Sequence, residues 1–140
     1  MKVIEFYFDV GSPYSYIGFH RIQHIAEQYQ AEIIWKPMLL GGVFKATGNS
    51  SPMAVPAKAR YSMRDLKRWS DLWQIPVQMN PYFPINTLQL MRLITAVQLF
   101  QPEAFLNVLT GIFNAMFGQP RNLNDLHELI QLMQELGLDV

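Results

Sequence analysis

The stretch Lys2-Val-Ile-Glu-Phe-Tyr-Phe-Asp-Val-Gly-Ser-Pro13 decides the fold, because a short β-branched and aromatic run ends directly at a turn and a helix start. Ser12 is suited to accept hydrogen bonds from the first helical amides, and Pro13 loses no hydrogen bond at the first helical position. Apolar residues then recur at helical spacing as far as Gln30, and a second strand is predicted over 31–36. Such a strand, helix and strand unit crosses over right-handed and makes its strands parallel.

The rest of the chain is predicted to be a loop region followed by helices. Glycine, serine, asparagine and proline crowd residues 37–56 and leave room for one short helix over 43–46. Four longer helices are predicted, over 57–74, 87–100, 102–117 and 123–136. Asn122 with Asp125 resembles a cap that begins the last helix, and Gly137 is suited to end it. No strand is predicted after residue 36.

Composition limits the classes of function. A chain of 140 residues with 50% hydrophobic side chains suits one domain, and a net charge of zero draws it toward neither nucleic acid nor an anionic membrane. Glu5 and Asp9 interrupt any signal peptide, and no run of about 18 apolar residues exists. We therefore expect a soluble, cytoplasmic protein that binds no nucleic acid and no membrane. Because the chain contains no cysteine, any thiol chemistry needs a sulfur supplied by a small molecule.

Ser12 lies where a parallel strand meets a helix amino terminus. Open α/β sheets bind ligands at the carboxyl ends of their strands, and helix amino termini favour anions. A thiolate held there would have a lowered pKa, and a hydrogen bond donated by the Ser12 hydroxyl would stabilise it further. The alternative is that Ser12 only caps the helix, and this stretch taken alone favours the cap.

The loop and the helix after it carry a local excess of positive charge. Lys45, Asn49, Lys58 and Arg60 offer cations and an amide suited to carboxylates. The alternative is an ordinary solvated surface, which the loop taken alone favours. The basic residues of the helix are interspersed with aspartates, so nucleic-acid binding is the weaker interpretation. The three histidines lack carboxylates at metal-ligand spacing, and we expect no metal site.

Three motifs together resemble those of 2-hydroxychromene-2-carboxylate isomerases and the similar kappa-class glutathione transferases, which share the DsbA-like branch of the thioredoxin superfamily. They are F-Y-F-D-V-G-S-P-Y-S-Y at 6–16, K-P-x-L-L-G-G-V-F-K-x-T-G-N at 36–49, and P-A-K-A-R-Y-x-x-R-D-L-x-R-W at 56–69. Phe83-Pro-Ile-Asn-Thr87 and Arg92 continue the likeness, which spans nearly the whole chain.

The resemblance implies a glutathione-dependent isomerase that acts on a chromene or aromatic keto acid and regenerates glutathione, and it favours a homodimer. It makes Ser12 the residue that activates the glutathione thiol. It assigns glutathione binding to Ser12, Pro13, Tyr14, Asn49 and Lys58, and it places Lys45, Asn86 and Arg92 around the second substrate.

The resemblance also implies a fold class: α/β, with a thioredoxin-like βαβ start and a large all-helical insertion. The carboxyl-terminal ββα part of that fold has no counterpart in the sequence. We therefore expect residues 1–140 to form a single incomplete thioredoxin-like domain, with a βαβ unit over 1–37 and a loop plus helical subdomain over about 38–140. A kappa-like transferase, and an inactive or associating fragment of such an enzyme, remain as alternatives.

Overall fold

The computed structural model describes residues 1–138, which group into two compact units, residues 1–77 and residues from 78 onward. The first unit contains the βαβ start together with the loop region and the helix after it. The division at residue 37 remains a prediction. No helix within the described part of the chain is long and apolar enough to cross a membrane.

The first unit is built on a two-stranded parallel sheet. Strands β1 (Lys2–Phe8) and β2 (Ala31–Pro37) pair in register from Lys2 opposite Ala31 to Phe8 opposite Pro37. Helix α1 (Pro13–Tyr29) connects them, as the sequence predicts. Aromatic rings fill the space between sheet and helix, and Trp35 contacts three of them, at centroid distances of 5.5 to 6.3 Å: Phe6, Phe8 and Phe19. Burial of these rings stabilises the unit through the hydrophobic effect.

Two further helices follow β2. Helix α2 (Leu40–Thr47) is longer than the predicted 43–46, buries no residue, and ends at Gly48, whose φ of 67° suits glycine. A short 3₁₀ turn (Pro52–Ala54) follows it, and helix α3 (Pro56–Trp73) then begins with a proline at its first position.

Helices α1 and α3 run in the same direction. The Tyr14 hydroxyl donates to Asp65 near the start of α1, and farther along the Arg21 guanidinium lies 5.3 Å from the centroid of the Trp73 ring. From the first contact to the second, the contacting residue moves 7 positions along α1 and 8 positions along α3, both toward the carboxyl terminus. The amino termini of both helices consequently point toward the same end of the unit.

The second unit contains helices α4 (Leu88–Phe100), α5 (Phe105–Phe113) and α6 (Leu126–Glu135). The single helix predicted over 102–117 is wrong in detail, because a 3₁₀ turn (Pro102–Ala104) precedes α5 and a π-helical turn (Asn114–Gly118) follows it. The wider π-helical turn leaves carbonyl groups that can accept from amides farther along the chain. The carbonyl of Ala115 accepts from the Arg121 amide at 2.8 Å.

Helix α6 ends as its sequence predicts, but it begins at Leu126 rather than at 123, because Asn122 accepts from the Asn124 amide in a turn and Asp125 alone caps the helix. The Asp125 carboxylate accepts from the His127 amide at 2.9 Å at its start. At its end Gly137 has a φ of 81°, and the Leu138 amide donates to the Met133 carbonyl at 3.0 Å. This six-to-one hydrogen bond belongs to a Schellman motif, in which glycine reverses the chain without strain.

Candidate functional site

A buried carboxylate organises the turn that follows β1. Asp9 is 2% exposed, and its Oδ1 accepts from the Gly11 amide at 2.9 Å. Its Oδ2 accepts from the Leu40 amide at 2.8 Å, which fixes the first residue of α2 beside the β1–α1 turn. Both acceptor oxygens are therefore used by backbone donors from separate segments. Sequence reasoning did not single out Asp9 as a site residue, although its place at a strand's carboxyl end is the relevant signal.

Ser12 caps α1, and its hydroxyl proton is available. The residue has extended backbone angles and its amide donates to the Asp9 carbonyl at 3.0 Å. Its Oγ accepts from the Ser15 amide at 3.1 Å, which confirms the predicted cap. No acceptor for the hydroxyl proton occurs within residues 1–138, and the side chain is half-buried. An oxygen already oriented as an acceptor can donate its own proton to an incoming anion.

Helix α3 extends past the start of α1. Tyr14 Oη donates to Asp65 Oδ2 at 2.8 Å and also contacts the hydroxyl of buried Ser62. Lys58 precedes these two partners by four and seven residues, so it lies on the same face of α3. Seven residues correspond to about 10 Å along a helix axis. Because the helices are parallel, Lys58 lies beyond the amino end of α1, on the side where Ser12 is.

The first unit offers positive charge from two helix amino termini at one end and from two exposed lysines. The amino termini of α1 and α3 each carry the positive end of a helix dipole. Lys45 and Lys58 are exposed, and neither makes an ion pair with any residue of the described chain. By contrast, Lys36 pairs with Glu5 and Lys67 with Asp71. The two free lysines therefore remain available to a ligand with carboxylate groups.

Tyr14 remains a protonated donor at neutral pH. Burial and the hydrogen bond to Asp65 raise the pKa of Tyr14 to about 12. The same hydrogen bond occupies the Asp65 carboxylate. The phenol therefore joins α1 to α3 and supplies no negative charge beside Ser12.

The remaining predicted residues are divided between the units. Asn49 is exposed just after α2, and its Oδ1 accepts from the Ser50 amide at 2.8 Å. Asn86 belongs to the second unit, where its Oδ1 accepts from the Leu88 amide at 3.1 Å as α4 begins. Arg92 lies exposed on α4. The contacts thus join Tyr14 of α1 to the helix that carries Lys58, and they give Asn86 a local role at a helix start.

His20 on α1 packs against aromatic rings, whereas His24 is exposed. His20 lies edge-on to Tyr16 and Phe19, with ring centroids 4.8 and 5.2 Å away. Burial first, and then the charge of His24, lower the pKa of His20. Among residues 1–138, no three histidine or acidic side chains are close enough to hold a metal ion.

Comparison with known proteins identifies a matching family and several relatives of this chain. A family model described as DSBA-like thioredoxin domain matches residues 3–140. A 2-hydroxychromene-2-carboxylate isomerase from Pseudomonas sp. (strain C18) is 34% identical over 98% of this chain and 64% of its own length. Glutathione S-transferase kappa 1 of Caenorhabditis elegans is 30% identical over 96% of this chain and 62% of its own length.

The same comparison extends to a solved structure. A 2-hydroxychromene-2-carboxylate isomerase structure superposes with a TM-score of 0.75 at 28% identity, covering 98% of this chain and 66% of that chain. The present chain spans a little under two thirds of the length of the curated relatives described above.

Proposed function

The chain belongs to the DSBA-like thioredoxin domain family, and from that premise we propose that it is a glutathione-dependent isomerase of aromatic carboxylic acids with Ser12 as its catalytic residue. The observation that carries the proposal is the Ser12 hydroxyl, which caps α1 through its oxygen and retains its proton. A thioredoxin-like fold usually performs thiol chemistry with its own cysteines, and this chain has none.

The residues present fit a bound glutathione. Glutathione, when bound, supplies the thiol sulfur that the chain lacks. Ser12 and the start of α1 suit a sulfur anion, and the unpaired Lys58 with the exposed Asn49 suits the tripeptide's carboxylates. Pro13 has no amide proton, so it leaves the Tyr14 amide as the free donor in the first turn of α1.

Ser12 has two tasks in this proposal. Its hydroxyl donates a hydrogen bond that favours the charged form of the thiol, and it accepts from the Ser15 amide so that the hydroxyl stays oriented. Asp9 stabilises this turn, because its Oδ1 accepts from the Gly11 amide and its backbone carbonyl accepts from the Ser12 amide. Lys45 neutralises the carboxylate of the second substrate, as an electrostatic contribution to the reaction.

A second candidate is a transferase that releases a glutathione conjugate, and the similarity to glutathione S-transferase kappa 1 favours it. Both candidates use Ser12 in the same way, so product analysis must separate them. Incubation with glutathione and an unsaturated aryl keto acid should change the geometry of the acid at constant glutathione if the chain is an isomerase. Consumption of glutathione in equal amount with product identifies the transferase.

The role of Ser12 is tested by substitutions that separate capping from thiol activation. Ser12→Ala removes the hydroxyl and the cap, whereas Ser12→Asp restores a good cap without a donor. We expect both to lower turnover by about a hundredfold, the usual effect of losing one donor to a reacting anion, while Ser12→Asp retains the thermal stability. Ser15→Ala, in the same turn, is the matched control and should keep its activity.

The outcomes of this experiment are distinct. Wild-type turnover in Ser12→Ala would contradict the assignment of Ser12. Calorimetric titration that shows no glutathione binding to the unsubstituted chain would instead identify an inactive fragment, the third hypothesis.

A further inference from the structure

A recess lies in the first unit, away from Ser12. It has a volume of about 330 Å³ and lies between the second half of α1 and the end of α3, lined by Arg21, His24, Leu72, Trp73, Gln74 and Ile75. Arg21 follows Ser12 by nine residues on α1, or about 13 Å along the helix. The volume is at the lower end of the range for small-molecule sites.

The cation in this recess lacks a counterion. The Arg21 guanidinium lies over the Trp73 ring at 5.3 Å, and the residue is only partly exposed. Its Nε is buried without a hydrogen-bond partner, and within residues 1–138 its guanidinium makes no ion pair. A guanidinium nitrogen withdrawn from water without an acceptor is costly, so an anionic ligand on the remaining, accessible nitrogens would add favourable contacts that offset this cost.

The surroundings of Arg21 favour a ligand with one negative charge over a ligand with several. His24 lies one turn beyond Arg21 on the same face of α1, so an imidazole stands beside the guanidinium in the recess. The nearby Asp71 is paired with Lys67 at 2.8 Å. The recess lies toward the carboxyl ends of both helices, where the dipole opposes anions, so a phosphate dianion is disfavoured relative to a carboxylate.

Apart from Gln74, the rest of the lining is apolar. Leu72 is 65% exposed beside the recess, and Ile75 is partly buried. Trp69 stacks against Trp73 at a centroid distance of 4.7 Å, which fixes the indole that supports Arg21. A planar guanidinium held in this way presents a fork that matches the two oxygens of a carboxylate.

We propose that this recess is a second ligand site that binds a planar aromatic carboxylate, with its two oxygens on Arg21 and its ring on Leu72 and Ile75. The site is separate from the glutathione site and needs no thiol. Occupation would therefore be independent of Ser12, and the site would take a carboxylate product, substrate or inhibitor as an additional ligand.

The experiment is a calorimetric titration of the full chain with benzoate, with benzamide as a neutral probe of the same shape. Arg21→Met keeps the apolar stem on Trp73 and removes the charge. We expect it to weaken benzoate binding by about tenfold, the effect of losing one charge-assisted contact. Arg68→Met, an exposed arginine of α3 outside the recess, is the matched control and should bind benzoate like the unsubstituted chain.

A second pair of variants keeps the test valid if Arg21→Met does not fold. Leu72→Glu places a negative charge at the exposed rim and should weaken benzoate binding, whereas Leu72→Gln, of equal size and neutral, should weaken it less. Binding of benzoate in Arg21→Met or Leu72→Glu equal to that of Arg68→Met would overturn the proposal. Equal affinity for benzoate and benzamide, or loss of binding in Lys58→Met instead, would also overturn it.

Discussion

Two polar side chains separated by two residues define the turn that follows β1. Asp9 is buried and satisfies amides from two segments, whereas Ser12 is half-buried and retains its proton. The two side chains differ in their hydrogen-bonding capacity. A carboxylate has only acceptors and can organise backbone donors, while a hydroxyl can accept and donate at once. Replacing either residue therefore has a different expected consequence.

Asp9→Asn should destabilise the protein by about 1 to 3 kcal/mol, because the amide nitrogen of asparagine then faces a backbone donor and leaves it unsatisfied. Asp125→Asn is the matched control. It uses one oxygen, at a helix start where asparagine caps equally well, so it should change stability by only a few tenths of a kcal/mol. Denaturant unfolding measures both, and equal stability of the two variants would contradict the buried role of Asp9.

Tyr14 gives the protein a measurable alkaline dependence. Its pKa is raised from 10.0 to about 12 by burial and by Asp65, so the folded chain binds this proton more tightly than the unfolded chain does. The contribution to stability is therefore complete below pH 10 and is lost as the pH rises toward 12. Tyr14→Phe should reduce this fall in thermal stability and leave the part due to Tyr16, whose pKa burial also raises, whereas Tyr82→Phe, in the other unit, should retain the whole fall. An unchanged alkaline profile in Tyr14→Phe would contradict the link.

At the residue scale, local chemistry decides what a sequence can predict. The Ser12 cap and the Gly137 reversal depend on neighbours within a few positions, and both are confirmed, whereas Asp125 alone begins the last helix, three residues later than predicted. Asp9 was missed as an organising residue because one of its partners, Leu40, lies 31 positions away in the chain. Asn86 acts at a helix start in the described structure, and its assignment to a substrate stays a prediction.

At the scale of elements, the offset between the parallel helices α1 and α3 determines which residues of α3 lie beyond the amino end of α1. Tyr14 fixes α1 against α3 at Asp65, so the first turns of α3 extend beyond the amino end of α1. Sequence patterns predicted both helices, yet no periodicity reveals which residues lie opposite each other. The π-helical turn after α5 was missed for the same reason, since its widened bonds depend on the chain that packs against it.

Lys58→Gln should weaken glutathione binding by about five- to tenfold, because the lysine has no other ion-pair partner in residues 1–138 and its charge is free for a carboxylate. Lys67→Gln is the matched control: it lies on the same helix but is paired with Asp71, and it should leave the affinity unchanged. Calorimetric titration with glutathione measures both. Equal losses in the two variants would show a general effect of charge rather than a specific contact.

At the scale of the whole molecule, membership of the DSBA-like thioredoxin domain family fixes the fold. The matched relatives are about half as long again, and the chain covers 62 to 64% of them. Net charge is zero, so long-range steering contributes little and binding depends on the local charge at helix ends. That local charge was visible in the sequence as a basic loop, whereas the parallel arrangement of α1 and α3 required the tertiary structure.

The two-stranded sheet of the first unit has a consequence for association. Within residues 1–138 each strand has one edge without a strand partner, and β1 exposes Val3 and Tyr7 by 51% and 57%. Unpaired edges template pairing with another chain, so we expect a homodimer or larger assembly in sedimentation experiments.

If association stabilises the fold, a tenfold rise in protein concentration should raise the unfolding midpoint by about 2 to 4 °C, since the associated state gains by mass action. Val3→Lys places a charge on the exposed face of β1 and should reduce both association and this shift. Val55→Lys, exposed outside the sheet, is the matched control. A monomer at every concentration, with a constant midpoint, would show that side chains or the following chain protect the strand edges.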